Sequence, residues 1–120
     1  MKALLRPALL AALASLALAL PSQSAFAVDA NAALSLARQN NCFRCHTIAK
    51  ESDKDGPPYN KVAEKYKGKP GAEQRLIEHI TSGEMATFKD GHKEAHKIVK
   101  TSPPKDMNQI KNLVQWILAQ

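Results

Sequence analysis

The sequence predicts an all-α fold, and three observations carry that reading. Short segments place apolar residues at helical spacing, with capping residues before them or glycine after them. No segment sustains the period-two alternation of a half-buried strand. The chain's two cysteines stand in Cys42-Phe43-Arg44-Cys45-His46, a cluster that builds a site within one or two turns of backbone and needs no sheet.

Taken in chain order, the first 27 residues read as an address and not as fold. Lys2 and Arg6 make a short positive region, and Ala8 to Leu20 is a run of 13 residues of Ala and Leu broken only by Ser15. Pro21 to Ser24 breaks the run, and Ala25-Phe26-Ala27 is a small-x-small cleavage site. This is the three-part pattern of a secretory signal, cleaved after Ala27. The apolar run falls short of the roughly 20 residues that span a bilayer. Residues 28–120 are then one domain, since domains run to roughly 100–200 residues.

Asp29 or Asn31 can cap a helix running through Ala32 to Arg38 toward Cys42, and Asp53 to Pro58 is a loop around Gly56-Pro57-Pro58. Asn60 to Tyr66 reads as a short helix with Val62, Ala63 and Tyr66 along one face, ended by Lys67-Gly68-Lys69-Pro70-Gly71. A second helix, Ala72 to Ser82, carries the stripe Leu76, Ile77 and Ile80, and Gly83 stops it. His79 falls on its polar side and is expected to be exposed. Glu84 to Pro104 is polar and reads as loop. The last helix starts from a cap at Ser102 or Asp106 and presents Ile110, Leu113, Val114 and Ile117, with Trp116 beside them.

So short a domain is marginal without a staple, and a Cys42–Cys45 bridge would close almost no loop. Cys-x-x-Cys-His is the attachment signature of c-type haem. Two thiols three residues apart, expected in the last turn of a helix and just beyond it, reach the two vinyl groups on one side of a porphyrin. The next residue, His46, then lies under the iron as the proximal imidazole. A thioredoxin-like dithiol would need a βαβ pattern, and a structural zinc site would need four ligands, commonly from two such knuckles. Neither is present in the sequence. Haem attachment also takes place outside the cytoplasm, in keeping with the signal. The predicted cofactor is one covalent haem c, held through Cys42 and Cys45.

The order of helix, Cys-x-x-Cys-His, Gly-Pro loop, two helices, ligand loop and aromatic-bearing last helix resembles the class I cytochromes c, in particular their small monohaem bacterial type. The likeness covers essentially all of residues 30–120. Leu36-Ala37 stands where that family packs its first helix on its last, Gly56 to Tyr66 is similar to its Gly-Pro loop and following helix, and Trp116-Ile117-Leu118 matches its last helix. The resemblance implies four or so helices wrapped around the haem. It also implies that the Pro57 carbonyl accepts a hydrogen bond from Nδ1 of His46, which would fix the ring and raise its basicity. His79 stands where small bacterial members often carry an arginine near a haem propionate.

The family pattern breaks at the distal ligand. Members of the class supply a methionine beside prolines just before the last helix, but here Ser102 precedes Pro103-Pro104. His96, 50 residues after His46 and 20 before Trp116, is the first choice, with Ile98 and Val99 available to line a distal pocket. His92, beside Asp90-Gly91, and Met85, near the end of the second helix of the pair, are alternatives. Met107 or an open iron completes the set. Imidazole and thioether are both standard haem ligands, and the choice decides the range of the potential. The His92/His96 spacing also invites a zinc-protease reading, but Glu94 is not directly after His92 and no third ligand stands nearby.

The whole chain carries a formal charge of +6, and removing Lys2 and Arg6 with the signal leaves +4. Eleven lysines between Lys50 and Lys105 read first as solvated surface, and then as a basic field that steers acidic redox partners. Nucleic acid is a poor partner, because no basic-aromatic cluster is present and the protein is exported. The sequence thus predicts a periplasmic monomer, an electron carrier and not an enzyme, cycling a bis-histidine haem c between ferric and ferrous states. The alternatives are a gas-binding or sensing haem protein with a labile distal ligand, and the cytochrome subunit of a periplasmic dehydrogenase. Once the signal is cleaved, no transmembrane segment is expected.

Overall fold

The computed structural model describes residues 27–120, so the signal reading of the first 27 residues lies outside the described residues except for Ala27. Helix α1 spans Ala30–Gln39 and is capped by Asp29, whose side chain accepts from the Ala32 amide. Its buried face is Ala33, Leu36 and Ala37. Ala37 is 0% exposed, so the small side chain lets the backbones of two helices approach closely there. The chain then leaves α1 at Asn40. Asn41 turns in the left-handed region at φ 57°, and Cys42–Arg44 forms a separate 3₁₀ turn. The cysteines are therefore beyond the helix and not in its last turn, because Asn41 breaks the helical path before Cys42.

Helix α2 is Tyr59–Tyr66 and α3 is Ala72–Thr81, joined by a turn in which Gly68 and Gly71 take positive φ. Helix α4, Met107–Leu118, is capped by Asp106, which accepts from the amides of Asn108 and Gln109. α4 is the hub: α1, α2 and α3 all pack on it. Its apolar positions recur at i, i+3, i+4 and i+7, so Ile110, Leu113, Val114 and Ile117 form one stripe, with Trp116 buried beside it. Burying a side chain such as Leu113 contributes about 1.5–3 kcal/mol. Asn112 is the one buried polar residue among the described residues. It is paired on both sides, donating to the Asp29 carbonyl and accepting from the Asp29 amide, each at 2.8 Å, which anchors the start of α1 on α4.

The segment from Glu84 onward differs from the sequence expectation. It is not all loop: β1, Met85–Thr87, pairs antiparallel with β2, Lys93–Ala95, in the register Met85 with Ala95, Ala86 with Glu94 and Thr87 with Lys93. The turn between them closes through hydrogen bonds from Phe88 to His92 and from Gly91 to Phe88, and Gly91 has φ 89°. The hairpin is three residues per strand and exposed on nearly every side chain, so no apolar alternation marks it. The fold remains helical, with this small hairpin placed between α3 and the approach to α4.

Candidate haem-binding site

Cys42, Cys45 and His46 stand within one tightened turn, with the amides of both Cys45 and His46 donating to the Cys42 carbonyl. Neither cysteine is in a disulfide, and both are half-buried. Burial pushes the Cys42 thiol above its ordinary value, outweighing the opposing hydrogen bond with Tyr59. Tyr59 itself is buried, and burial likewise raises its phenol, so it stays protonated. The Tyr59 ring lies 5.1 Å from that of His46 in a stacked arrangement and meets Trp116 edge-on at 5.8 Å. Phe43 adds a further edge contact to Tyr59 at 6.1 Å. The His46 turn is thus seated against the core through aromatic contacts that lead back to α4.

The loop after the turn explains Gly56. Its amide donates to the Cys45 carbonyl at 2.8 Å, which brings its backbone against His46. A Cβ there would lie 2.4 Å from His46 Cε1 and 2.6 Å from Nδ1. Only the missing side chain allows the next carbonyl, that of Pro57, to accept from His46 Nδ1 at 2.8 Å. A carbonyl only accepts, so this contact puts the proton on Nδ1 and leaves Nε2 as the free lone pair. Burial lowers the His46 pKa, favouring the neutral ring that binds metal.

His96 brings a second imidazole close to His46. Its ring centroid is 6.4 Å from that of His46, with the planes inclined by 50°. Its Nδ1 is held at 2.9 Å by the Lys97 carbonyl, the same arrangement as at His46. Neither Nε2 makes a hydrogen bond among the described residues. Burial lowers the pKa of His96 as well, with the neighbouring His79 the next cause. Two imidazoles this close, each with Nε2 free, could serve one metal. The donor set of two thiols, a seated imidazole and a second imidazole close to it fits a covalent haem.

The other sequence candidates are placed differently. His92 sits at the end of the hairpin turn, stacked on Phe88 at 4.5 Å and paired with Asp90 and Glu94. The Asp90 hydrogen bond, chiefly, raises its pKa, which favours the protonated ring over a ligand. Met85 opens β1 at 61% exposed, and Met107 is the first residue of α4 at 43%. Ile98 is exposed, whereas Val99 packs against the core. His79 departs from the expectation of an exposed residue. Its ring is half-buried and only 4.2 Å from that of His96, because the chain after the hairpin returns across α3. Sequence reasoning also missed the residues that hold that returning chain. The Asn40 side chain takes both the amide and the carbonyl of Lys100, at 2.7 and 3.0 Å, and the amides of His96 and Val99 donate to the carbonyls of Glu84 and Ile80. These contacts join residues up to 60 apart in sequence and have no local signature.

The cytochrome c family model matches residues 31–120, from the second residue of α1 to the end of the chain. The chain belongs to the cytochrome c family, in its class I. A curated relative, cytochrome c-551 of Allochromatium vinosum, is 35% identical over 92 residues, covering 77% of this chain and 89% of its own. Among solved structures, the class 1 cytochrome MtoD from Sideroxydans lithotrophicus ES-1 is 59% identical with a TM-score of 0.70, covering 78% of this chain and 97% of its own. Cytochrome c552 of Nitrosomonas europaea is 27% identical with a TM-score of 0.52, over 71% and 95% of the two chains. The cytochrome is accordingly a haem electron-transfer protein with a single covalently bound haem c and redox proteins as partners. No helix among the described residues is long and apolar enough to cross a membrane.

Proposed function

We propose that this cytochrome is an exported, periplasmic electron carrier whose haem is bound through Cys42 and Cys45 and ligated by His46 and His96. The observation that carries the reading is the matched pair of imidazoles, 6.4 Å apart, each with Nδ1 tied to a backbone carbonyl and Nε2 left free. Bound haem supplies a reversible one-electron couple, and the chain's own residues set its terms. His46, kept neutral by burial and oriented by Pro57, is the proximal ligand. Tyr59 and Trp116 close the space behind it to water. His96 is the distal ligand in the place of the methionine usual in the class.

The fastening of residues 96–100 favours a carrier over a gas-binding protein. A ligand whose chain is pinned through Glu84, Ile80 and Asn40 has little freedom to leave the iron and open a site for oxygen, NO or CO. Docking is proposed to use acidic partner surfaces, since Lys89, Lys93, Lys97 and Lys100 are all exposed on the hairpin and the chain that follows it. Lys54 is an exception among the lysines: it is half-buried and its ammonium donates to the Phe43 carbonyl, so it acts in the fold. The export reading rests on the apolar segment behind Lys2 and Arg6 and its Ala25-Phe26-Ala27 site.

The test is the visible and near-infrared spectrum of the ferric protein beside that of H96A. Bis-imidazole ligation predicts low-spin ferric bands without the far-red charge-transfer band of an iron–thioether bond, and a ferrous form that does not take up CO readily. H96A is expected to become high-spin and to bind CO at once. A far-red thioether band in the parent protein, or an H96A spectrum identical to the parent's, would overturn the assignment and return it to Met85, Met107 or His92.

A further inference from the structure

Outside the ligands, one side chain gathers more of the distal side than any other. The Glu84 Oε1 atom accepts from Arg75 Nη2 at 2.7 Å and also from Nδ1 of His79. His79 is the ring that packs 4.2 Å from His96. The Glu84 backbone carbonyl accepts the His96 amide at 2.8 Å. Glu84 therefore reaches the distal histidine twice, once through its main chain and once through the ring it holds against that histidine. Its carboxylate is a firm anchor, because one oxygen is shared between the Arg75 guanidinium and the His79 ring. Arg75 comes from the middle of α3 and His79 from its last turn, so the carboxylate ties the chain entering the hairpin to two successive turns of one rigid element.

We propose that Glu84 is a positioning residue for the distal ligand, setting the plane of the His96 ring through His79 while its carbonyl fixes the His96 backbone. The inference rests on the reading of His96 as the ligand. Nothing in His96 alone selects the 50° inclination between the two rings, because its Nδ1 contact to Lys97 leaves the ring a broad range of tilt. The packed face of His79 removes that range. Without the carboxylate, His79 loses its only side-chain hydrogen-bond partner among the described residues, and the face behind His96 becomes mobile. Partners that orient a metal ligand in this way typically change metal affinity about 10–100-fold when removed.

The experiment compares E84A, E84Q and H96A with the parent haem protein, reading the g-values of the ferric electron paramagnetic resonance spectrum and the rate of CO binding to the ferrous form. E84A is expected to broaden or shift the low-spin g-values, which report the relative tilt of the two rings, and to speed CO binding about 10–100-fold. E84Q keeps a carbonyl oxygen able to accept from both Arg75 and His79, so it is expected to restore most of the parent signal. A general loss of packing would move stability in both variants but would not be rescued in the g-values by Gln. Should E84A fail to take up haem, H79L removes the same contact from the helix side and is expected to give the same shift. Parent-like g-values and CO rates in E84A, or in H79L where E84A is not obtained, would overturn the proposal. H96A separates the two levels: if it stays low-spin, the ligand assignment itself fails, whereas a high-spin H96A beside a parent-like E84A refutes only the role of Glu84.

Discussion

Replacing Gly56 by alanine tests how the proximal histidine is seated. The added Cβ would stand 2.4 Å from His46 Cε1, 2.6 Å from Nδ1 and 2.8 Å from the Cys45 carbonyl oxygen. Carbon atoms in good contact are about 3.5–4.0 Å apart, so the ring has to retreat by about 1 Å. It cannot do so freely, because Tyr59 stacks on it at 5.1 Å. A retreat of that size would carry Nδ1 from its 2.8 Å contact with the Pro57 oxygen to beyond hydrogen-bond range. Loss of such an orienting bond typically costs a metal site about 10–100-fold in affinity. If that loss falls wholly on the ferric state, which gains most from a basic imidazole, a one-electron couple moves upward by about 59 mV per factor of ten. G56A is therefore expected to load haem in reduced yield and to show a raised potential in the loaded fraction, with about 60–120 mV as the ceiling. The assay is a spectroelectrochemical titration beside a haem-per-protein measurement. Full loading with an unchanged potential would refute the argument that the bare backbone at Gly56 is what admits the Pro57 contact.

Three further outcomes follow from the packing and the caps. L113A removes a side chain that is 1% exposed at the centre of α4, and such truncations cost about 2–5 kcal/mol. For a domain of this size that corresponds to a Tm at least about 8 °C lower, read by thermal unfolding of the haem-loaded protein. N112L breaks both bonds to Asp29 and is expected to destabilise by about 1–3 kcal/mol in a urea titration, with an unchanged visible spectrum because the site is remote from that contact. The Asp106 carboxyl is held below its ordinary value, first by the Gln109 amide, then by the Gln109 side chain and the Asn108 amide. Its contribution to stability is therefore complete above the ordinary aspartate range and is lost as pH falls through the lowered folded-state value. D106N keeps a capping side chain but not the titration, so its stability should fall less steeply with acid than the parent's; parallel acid curves would contradict this.

The helices were legible because each buries one stripe against a single hub. Leu36 with Ala37, Leu76 with Ile77, and Ile110, Leu113, Val114 and Ile117 are buried at the positions their spacing indicates. The hairpin was not legible from hydropathy, since Met85, Thr87, Lys93, Glu94 and Ala95 are all exposed and give no alternation. A signal was nevertheless present in Asp90-Gly91, a dipeptide that favours hairpin turns, and Gly91 does take the positive φ such turns need. At the candidate site, Cys42, Cys45, His46 and Pro57 are close in sequence, and short spacing alone nearly builds that half. The distal half is assembled from α1, α3, the hairpin and the chain after it. No spacing rule brings Asn40 to Lys100, or His79 to His96.

That asymmetry has a physical consequence for the cytochrome. A proximal side built from one turn and one loop is set largely by contacts close in sequence, such as that of His46 with Pro57. A distal side built from distant parts is complete only when α3 has packed on α4 and the returning chain has docked across α1 and α3. The contacts that report completion are the backbone bonds from His96 to Glu84 and from Val99 to Ile80, and the two-sided bond of Asn40 to Lys100. A ligand placed on this cross-linked segment, as proposed for His96, would depend on the whole fold for its position. If His96 is the ligand, as proposed, an imidazole held in that way would be expected to stay bound in both oxidation states. Small rearrangement is what an electron carrier needs and what a gas sensor, whose ligand must depart, cannot use.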